Sequence, residues 1–180
     1  MEPMTCTKFR WFWAWQDHRE EEWLGGISRD GWHLESFSLP GVYHFRKGEP
    51  KHYVYRLDFQ TSPMKDREAY LQLFRDAGWE HMGNMAAWEY FRKEAPLGEE
   101  PEIFTDPESK IKKYQRIITF LFIFFTFLLT VNISTGSRMT DAGYLGLVPR
   151  CLIAGMLILY LIAILQISNR IRQLRNTLRK

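Results

Sequence analysis

The sequence lacks the short motifs that mark common catalytic and nucleotide-binding sites. It contains no Walker phosphate loop, no GxSxG nucleophile motif, no GxGxxG dinucleotide motif and no kinase signature. Its two cysteines, Cys6 and Cys151, form no CxxC pair, and its five histidines show neither HxH nor HExxH spacing. Because metal sites in proteins rely on such spacings, we expect no metal and no cofactor. We predict that the chain has no catalytic residues and is not an enzyme.

Charge is absent from two long stretches of the chain. Residues 117–133 and 151–167 are mostly apolar and contain no Asp, Glu, Lys or Arg. With their flanks, each reaches the roughly 20 residues that a helix needs to cross the hydrocarbon core of a membrane. We predict a stalk and first transmembrane helix over 107–134, an outer loop over 135–146 and a second transmembrane helix over 147–168.

Acidic residues are nearly absent from the C-terminal part of the chain. Residues 110–180 contain 11 Lys or Arg and one Asp, a net charge of +10, whereas residues 1–109 contain 13 Lys or Arg and 20 Asp or Glu, a net charge of −7. The acidic N-terminal part disfavours nucleic acid as a partner, because phosphate binding needs a basic surface.

The basic residues lie mainly before the first predicted span and after the second. This distribution is a positive-inside bias, so both termini are predicted to be cytoplasmic. The basic tail over 169–180 is expected to lie on an anionic inner leaflet of the lipid bilayer. The residues predicted at the membrane surface are Lys110, Lys112, Lys113, Arg116, Arg170, Arg172, Arg175, Arg179 and Lys180.

Residues 1–94 show the periodicities of an α+β domain. Helical spacing follows Asp17, where Asp17 and Glu20 resemble a capping box, and also follows Ser62-Pro63. We predict a cytosolic domain that has one antiparallel sheet with both helices on one face, followed by an acidic linker over 95–106. Strand-like alternation is found over 8–15, 32–39, 42–47, 52–59, 79–83 and 87–93.

The domain contains an internal repeat over about 8–47 and 52–93. We therefore predict two copies of a strand-helix-strand-strand unit. A shift of 46 residues aligns the two FRK triplets and places Phe9-Arg10-Trp11 on Tyr55-Arg56-Leu57. A shift of 47 residues aligns Trp23, Leu24, Ile27, Gly31 and Trp32 with Tyr70, Leu71, Phe74, Gly78 and Trp79.

Aromatic residues are abundant in this domain. The predicted strand over 8–15 places Phe9 and three tryptophans on one face. Tryptophans at such positions usually pack in a core. We therefore predict that Trp11, Trp13, Trp23, Trp32 and Trp79 are core residues.

The opposite face of the predicted sheet carries charged residues interleaved with phenylalanines. Such a face is typical of a ligand groove, in which Glu35 and Glu89 would select a cationic, partly apolar ligand. The alternative is that the charged residues form cross-strand pairs on a solvated or dimerising face. The candidate ligand-binding residues are Arg10, Phe12, Glu35, Phe37, Arg56, Asp58, Glu89 and Phe91.

The chain resembles the bacterial family catalogued as domain of unknown function 2812. The resemblance covers about residues 8–170 and rests on Glu22-Trp23-Leu24, Asp30-Gly31-Trp32, the strand from Tyr53 to Asp58, Gly78-Trp79 and the two C-terminal spans. It implies a cytosolic domain anchored in the bacterial plasma membrane, often encoded beside PadR-type transcription regulators. The duplicated layout is also similar to the ferredoxin-like arrangement of the GyrI-like small-molecule-binding fold, by topology alone.

These observations favour a membrane-tethered sensing or scaffolding domain that acts by binding a protein partner such as a transcription regulator. The alternative is a GyrI-like receptor for an amphipathic cation. A weaker alternative is an accessory subunit of a transport complex, because the spans lack the ionisable residues that transport by this chain alone would need. We also expect the spans to support a homo-oligomer.

Overall fold

The computed structural model of the chain describes residues 4–61, 66–104, 107–136 and 144–177. The chain divides into two compact units, residues 1–109 and residues 110–180, which are described separately. The elements of the first unit are β1 (Thr5–Phe9), α1 (Asp17–Arg29), β2 (Trp32–Ser38), β3 (Val42–Lys47), β4 (Tyr53–Phe59), α2 (Arg67–Asp76), β5 (Glu80–Met85) and β6 (Trp88–Glu94).

The element order confirms an α+β domain built from two consecutive strand-helix-strand-strand units. The prediction of one sheet is wrong, because the six strands form two antiparallel three-stranded sheets with the orders β1-β3-β2 and β4-β6-β5. The edge strands β2 and β5 lie next to each other. The guanidinium of Arg92 joins the sheets there by donating to the carbonyl of Leu34 over 3.3 Å.

The prediction that both helices share one sheet face is also wrong. Tyr55 and Leu57 of β4 pack in one cluster with Leu24 and Ile27 of α1 and with residues of the first sheet. Val54, on the other face of β4, packs in a second cluster that contains Phe74 of α2 and Phe91 of β6. The second sheet therefore lies between the two helices, which is why β4 is buried from Val54 to Phe59.

The two strand-helix-strand-strand repeats of the first unit make the same contacts where each helix ends. Gly31 and Gly78 follow the helices with φ angles of 76° and 80°, values that glycine adopts without steric cost. The ammonium of Lys47 donates to the carbonyl of Asp30 and lies 4.8 Å from the ring centre of Trp32. Lys93 makes the equivalent bond, to the carbonyl of Ala77. The repeat seen in the sequence therefore has a structural counterpart.

The first strand ends earlier than predicted. In the two sheets, Thr5 pairs with Arg46 as Tyr55 pairs with Arg92, so β1 corresponds to β4 with a shift of 50 residues rather than 46. The predicted strand over 8–15 is therefore wrong beyond Phe9. The aromatic alternation that follows Phe9 belongs to a non-strand segment between β1 and α1.

The tryptophans divide into buried and exposed groups. Trp79 is buried, and Trp23 and Trp32 pack partly buried against the first cluster. Trp11 and Trp13 are 51% and 38% exposed, so their prediction as core residues is wrong. Their rings contact each other edge to face, with centroids 5.8 Å apart. They belong to the surface of the segment that precedes α1.

The capping box predicted at Asp17 and Glu20 is displaced by one residue from the N-cap of α1, which is Gln16. The side chain of Gln16 makes no capping hydrogen bond and instead accepts one from the backbone N–H of Trp13. Both acidic residues are buried in other contacts. The predicted helix start at Ser62-Pro63 lies outside the described residues.

Gly41 holds the segment before α1 against the turn between β2 and β3. Its φ is +116°, and its carbonyl accepts a hydrogen bond of 2.9 Å from the N–H of Arg10. A Cβ at Gly41 would lie 2.4 Å from the carbonyl oxygen of Arg10. Only glycine fits at this position.

We therefore expect Gly41→Ala to lower the free energy of unfolding by roughly 1–3 kcal/mol, from backbone strain and the displaced Arg10 segment. Gly26→Ala, in α1, is the matched control, because its Cβ would meet nothing within 4 Å. It is expected to raise stability by up to about 1 kcal/mol, as alanine favours helix. Denaturation of the full chain, followed by tryptophan fluorescence, measures both. All seven tryptophans lie within residues 11–88 and report this domain. Equal stability of the two variants would contradict the prediction.

The segment predicted as an acidic linker lies against the domain over residues 95–103, and we call these residues the strap. The N–H of Ala95 donates to the carbonyl of His52 over 3.0 Å, and Ile103 packs against the second cluster. Between them, Glu100 and Glu102 pair with the guanidinium of Arg56. The strap ends four positions before the first residue of the next helix.

The second unit contains two long helices, α3 (Pro107–Gly136) and α4 (Tyr144–Thr177). By length and composition, Glu108–Val131 and Cys151–Asn176 are candidate membrane spans. Within the unit, Ile117 of α3 and Ile167 of α4 are buried, and the ring centroids of Phe125 and Tyr160 lie 5.7 Å apart.

Most of the residues predicted at the membrane surface lie on these two helices. Lys113 is buried there, with its ammonium 5.0 Å from the ring centre of Tyr114. Arg179 and Lys180 lie outside the described residues, as does most of the predicted outer loop. The remaining residues are Lys110, Lys112 and Arg116 on α3 and Arg170, Arg172 and Arg175 on α4.

Candidate functional site

A cleft of about 220 Å³ opens beside the N-terminal end of α1. The segment between β1 and α1, the turn between β2 and β3 and the turn between β5 and β6 form its rim. Most of its lining is aromatic or aliphatic, and two carboxylates lie at the start of the helix. The lining residues are Arg10, Trp11, Phe12, Trp13, Ala14, Asp17, Glu20, Leu39, Pro40, Gly41, Tyr43, Met85, Ala86, Trp88 and Tyr90.

Glu20 is the acidic centre of this cleft. Its side chain is 6% exposed, and one oxygen, Oε1, accepts hydrogen bonds from two tyrosines. The hydroxyl of Tyr43 donates over 2.7 Å and the hydroxyl of Tyr90 over 2.6 Å. Because no hydrogen bond to the other oxygen of Glu20 appears among those described, that oxygen is the one best placed to meet a ligand.

Burial raises the pKa of Glu20 above its ordinary value of 4.5. The hydrogen bonds from Tyr90 and Tyr43 act in the opposite direction, and the charges of Glu21 and Asp17 raise the pKa further. Desolvation disfavours the charged form of a carboxyl group, whereas a hydrogen bond to the carboxylate favours it. A cation in the cleft would compensate the buried charge and favour the ionised form.

Asp17 adds a second carboxyl group one turn before Glu20. It is 4% exposed and is the first residue of α1. The N-terminal turn of a helix favours negative charge, because its backbone N–H groups point outward. The cleft therefore combines two buried acidic side chains with the end of the helix that best tolerates them.

Aromatic rings supply the walls, and one cation already lies on them. The guanidinium of Arg10 is 5.1 Å from the ring centre of Phe12, which lines the cleft, and 5.2 Å from that of Trp23, which packs against the first core cluster. At the other side of the cleft, the ring of Trp88 packs edge to face on Phe59, with centroids 5.0 Å apart. Such faces attract cations through the ring quadrupole. Chemically, the cleft is suited to hold a positively charged group with apolar substituents.

The structure does not bring the eight predicted ligand-binding residues onto one face. Arg10 and Phe12 line the cleft. Phe37 lies behind it, with its ring centroid 4.3 Å from that of Tyr90. Glu35 is on the surface, where it pairs with Arg46.

The other four predicted residues lie on the second sheet, away from the cleft lining. Phe91 is fully buried in the second core cluster. Arg56 pairs with Glu21 and the strap. These residues make internal contacts, so the single polar face on which the groove was predicted does not exist.

Two of these four are acidic residues with cross-element partners. Asp58 is fully buried and accepts a hydrogen bond of 2.9 Å from the hydroxyl of Tyr70. Glu89 accepts from Arg67 over 3.1 Å and lies 2.7 Å from Nε2 of His81. Both carboxylates therefore contribute to the contact between the second sheet and neighbouring elements.

The prediction from sequence missed Glu20, Asp17 and the two tyrosines. A signal was present, because Asp17 and Glu20 precede Leu24 and Ile27 at helical spacing and therefore share their face. Acidic residues on the apolar face of a helix are buried, and a buried acidic residue is a candidate for function. Over the described ranges, no cluster of three or more His, Cys, Asp or Glu side chains is arranged to hold a metal ion.

Comparison with known proteins gives a family but no activity. A family model described as protein of unknown function (DUF2812) matches residues 16–126. The match confirms the resemblance seen in the sequence and includes α1 with Glu20. Searches of curated proteins and of solved structures found no match.

Proposed function

The chain belongs to the family described as protein of unknown function (DUF2812), and from the cleft we propose that it is a membrane-anchored receptor for an amphipathic organic cation. The observation that carries the proposal is the buried Glu20 carboxyl group, held by Tyr43 and Tyr90 at the centre of an aromatic cleft. The proposal is one of binding, not of catalysis.

Electrostatics supports a cation over an anion or a neutral molecule. A buried carboxylate is costly unless a positive group or hydrogen bonds compensate it. Two tyrosine hydroxyls compensate part of the buried charge of Glu20 through hydrogen bonds. A bound cation would supply the rest of the compensation. An anion would meet two carboxyl groups, Glu20 and Asp17, against the one guanidinium of Arg10, whose charge lies over the rings of Phe12 and Trp23.

The rim supports an amphipathic ligand. Leu39 is 65% exposed, and Trp11 and Trp13 beside it are also exposed. Exposed aromatic and aliphatic side chains that surround a polar centre match a ligand that has one charge and apolar substituents. Such molecules concentrate at membrane surfaces, and the two candidate spans would keep the receptor there.

The test uses the full chain in detergent with benzyltrimethylammonium as the probe. Trp11, Trp13 and Trp88 line the cleft, so binding is expected to produce a saturable change in tryptophan fluorescence. Benzenesulfonate, an anion of about the same size, is the control and is expected to produce none. Equal titrations with the cation and the anion, or flat titrations with both, would overturn the proposal.

The affinity for the cation is expected to rise with pH and then to level off. Burial raises the pKa of Glu20 above its ordinary value of 4.5. The carboxyl group therefore stays partly protonated over a range of pH that begins near 4.5 and extends upward. Because only the carboxylate attracts the cation, the affinity falls about tenfold for each pH unit below the raised pKa. The charged and titratable groups around Glu20 are Asp17, Glu21, Tyr43, Tyr90 and Arg10.

The measurement is the dissociation constant of benzyltrimethylammonium from about pH 4, below the ordinary pKa of a Glu carboxyl group, to about pH 8, in the wild type and in Glu20→Gln. In the upper part of this range His normally titrates as well. No histidine lines the cleft. An affinity that does not change over this range would show that the ionisation of Glu20 does not control binding.

The other hypotheses from the sequence stay predictions. A protein partner such as a transcription regulator, a transport complex or a homo-oligomer would each use surfaces whose contacts the single chain does not contain. The cleft favours ligand binding because its residues already form a site within one chain.

A further inference from the structure

We propose that Arg56 couples the cleft to the strap, by linking the N-terminal part of α1 to Glu100 and Glu102. This inference rests on the proposed function for the ligand that occupies the cleft. It adds a link between the occupied cleft and the strap, and it assigns the role of coupling residue to Arg56.

Arg56 is a buried cation with carboxylates on two sides. It is 8% exposed. On one side, its Nη1 lies 3.6 Å from Oε2 of Glu21 in α1. On the other, its Nη2 lies 3.1 Å from Oε2 of Glu100, and its Nε lies 3.3 Å from Oε2 of Glu102, both in the strap. One guanidinium therefore joins two elements that are far apart in sequence.

The α1 side of this link is adjacent to the cleft. Glu21 follows Glu20 directly in the chain, and its Oε1 accepts a hydrogen bond of 2.8 Å from the N–H of Leu57. The side chain of Glu21 is therefore held against β4 by this hydrogen bond and by its ion pair with Arg56. A shift of the first turn of α1, when Glu20 meets a ligand, would move Glu21 against both partners.

The strap side leads into α3 through a short connection. Ala95 at one end of the strap is bonded to His52, and Ile103 at the other packs against the second core cluster. Ile103 is four residues from Pro107, the first residue of α3. The strap carboxylates are half-exposed, whereas Arg56 is buried, so the strap is the side of the link that is able to open.

The direction of the coupling follows from preorganisation. With the strap bound, Arg56 stays beside Glu21, and the first turn of α1 keeps the cleft in its binding geometry. Opening the strap removes two of the three carboxylates around Arg56 and loosens this geometry, so ligand affinity falls. The coupling is reciprocal, so a ligand in the cleft raises the equilibrium constant for the bound strap by the same factor by which the bound strap raises ligand affinity.

The test compares two double variants of the full chain that remove the same charge. Glu100→Gln/Glu102→Gln removes both strap partners of Arg56 and leaves Glu21 in place. Glu94→Gln/Glu99→Gln is the matched control, because Glu94 pairs with Lys51 rather than with Arg56 and Glu99 lies within the strap. We expect the first variant to bind benzyltrimethylammonium about 5- to 10-fold more weakly and the control to bind as the wild type does.

Hydrogen exchange of the strap amides is the second measurement. In the wild type, saturating benzyltrimethylammonium is expected to slow exchange over residues 97–103 of the strap, and in Glu100→Gln/Glu102→Gln it is expected to have no such effect. Binding with unchanged exchange in the wild type, or equal affinities of the two double variants, would overturn the coupling and leave the receptor proposal standing. Absence of binding to the wild type would overturn both.

Discussion

Glu20→Gln is expected to lower the affinity of the full chain for benzyltrimethylammonium by about 10- to 100-fold, which corresponds to the roughly 1.5–3 kcal/mol of an interaction with a buried charged group. Glutamine has almost the same shape, and its carbonyl oxygen is able to accept the hydrogen bonds from Tyr43 and Tyr90. The substitution therefore removes the charge and keeps the cleft. Fluorescence titration with the cation measures the effect.

The matched control is Glu22→Gln on the same helix. Glu22 is 66% exposed and pairs with His18 on the surface, so the control removes one charge without changing the cleft. Its affinity for the cation is expected to equal that of the wild type. Equal losses in both variants would mean that net charge, rather than the site, governs binding.

Glu20→Gln is also expected to change the stability of the folded chain. The folded-state pKa of Glu20 is raised, so the folded chain retains a proton that the unfolded chain has released, and stability falls as pH rises from 4.5 through the raised pKa. Glu20→Gln removes this loss. At neutral pH, its melting temperature is therefore expected to equal or exceed that of the wild type.

Phe91→Ala is expected to lower the free energy of unfolding of the domain by about 3–5 kcal/mol, the usual cost of removing a buried aromatic side chain. Phe91 is fully buried, and its ring centroid lies 4.3 Å from that of Phe74 in α2. The alanine would leave a cavity between the second sheet and α2. Chemical denaturation of the full chain, followed by tryptophan fluorescence, measures the change.

Phe9→Ala is the control for this substitution. Phe9 is 67% exposed on β1, and its removal is expected to change stability by less than about 0.5 kcal/mol. If Phe91 lined a ligand groove, as the alternation of β4 and β6 predicted, Phe91→Ala would instead cost little stability and would weaken cation binding. That result would contradict the placement of α2 on this face.

The sequence predicts elements well where periodicity and turn residues agree. The hairpin around Pro40-Gly41 and the helix ends before Gly31 and Gly78 were correct, because glycine and local alternation determine them. The closing hairpin was predicted with strands over 79–83 and 87–93, and in the structure its strands are Glu80–Met85 and Trp88–Glu94. The first strand was wrong because the aromatic residues after Phe9 alternate as a strand does. These residues have no strand to pair with, because the last pair of β1 joins Phe9 to Val42, the first residue of β3 after the turn that contains Gly41.

The site could not be predicted in the same way, because its contacts are long-range. Glu20 is bonded to tyrosines 23 and 70 residues away, on strands of different sheets. Arg56 and Asp58 alternate with apolar residues, a pattern that usually indicates a solvated face. In this domain that face is covered by α2 and by the strap, whose composition alone resembles a linker.

The most direct measurement of the central claim is the position of a bound cation in a crystal of the full chain. The ligand (4-bromobenzyl)trimethylammonium carries an anomalous scatterer, so the bromine locates it. The account predicts one bromine peak among Trp11, Trp13 and Trp88, with the ammonium about 4–6 Å from the Glu20 carboxylate. At a ligand concentration near the wild-type dissociation constant, it predicts a much weaker peak or none in crystals of Glu20→Gln. A peak elsewhere on the domain, or the same peak in both proteins, would contradict it.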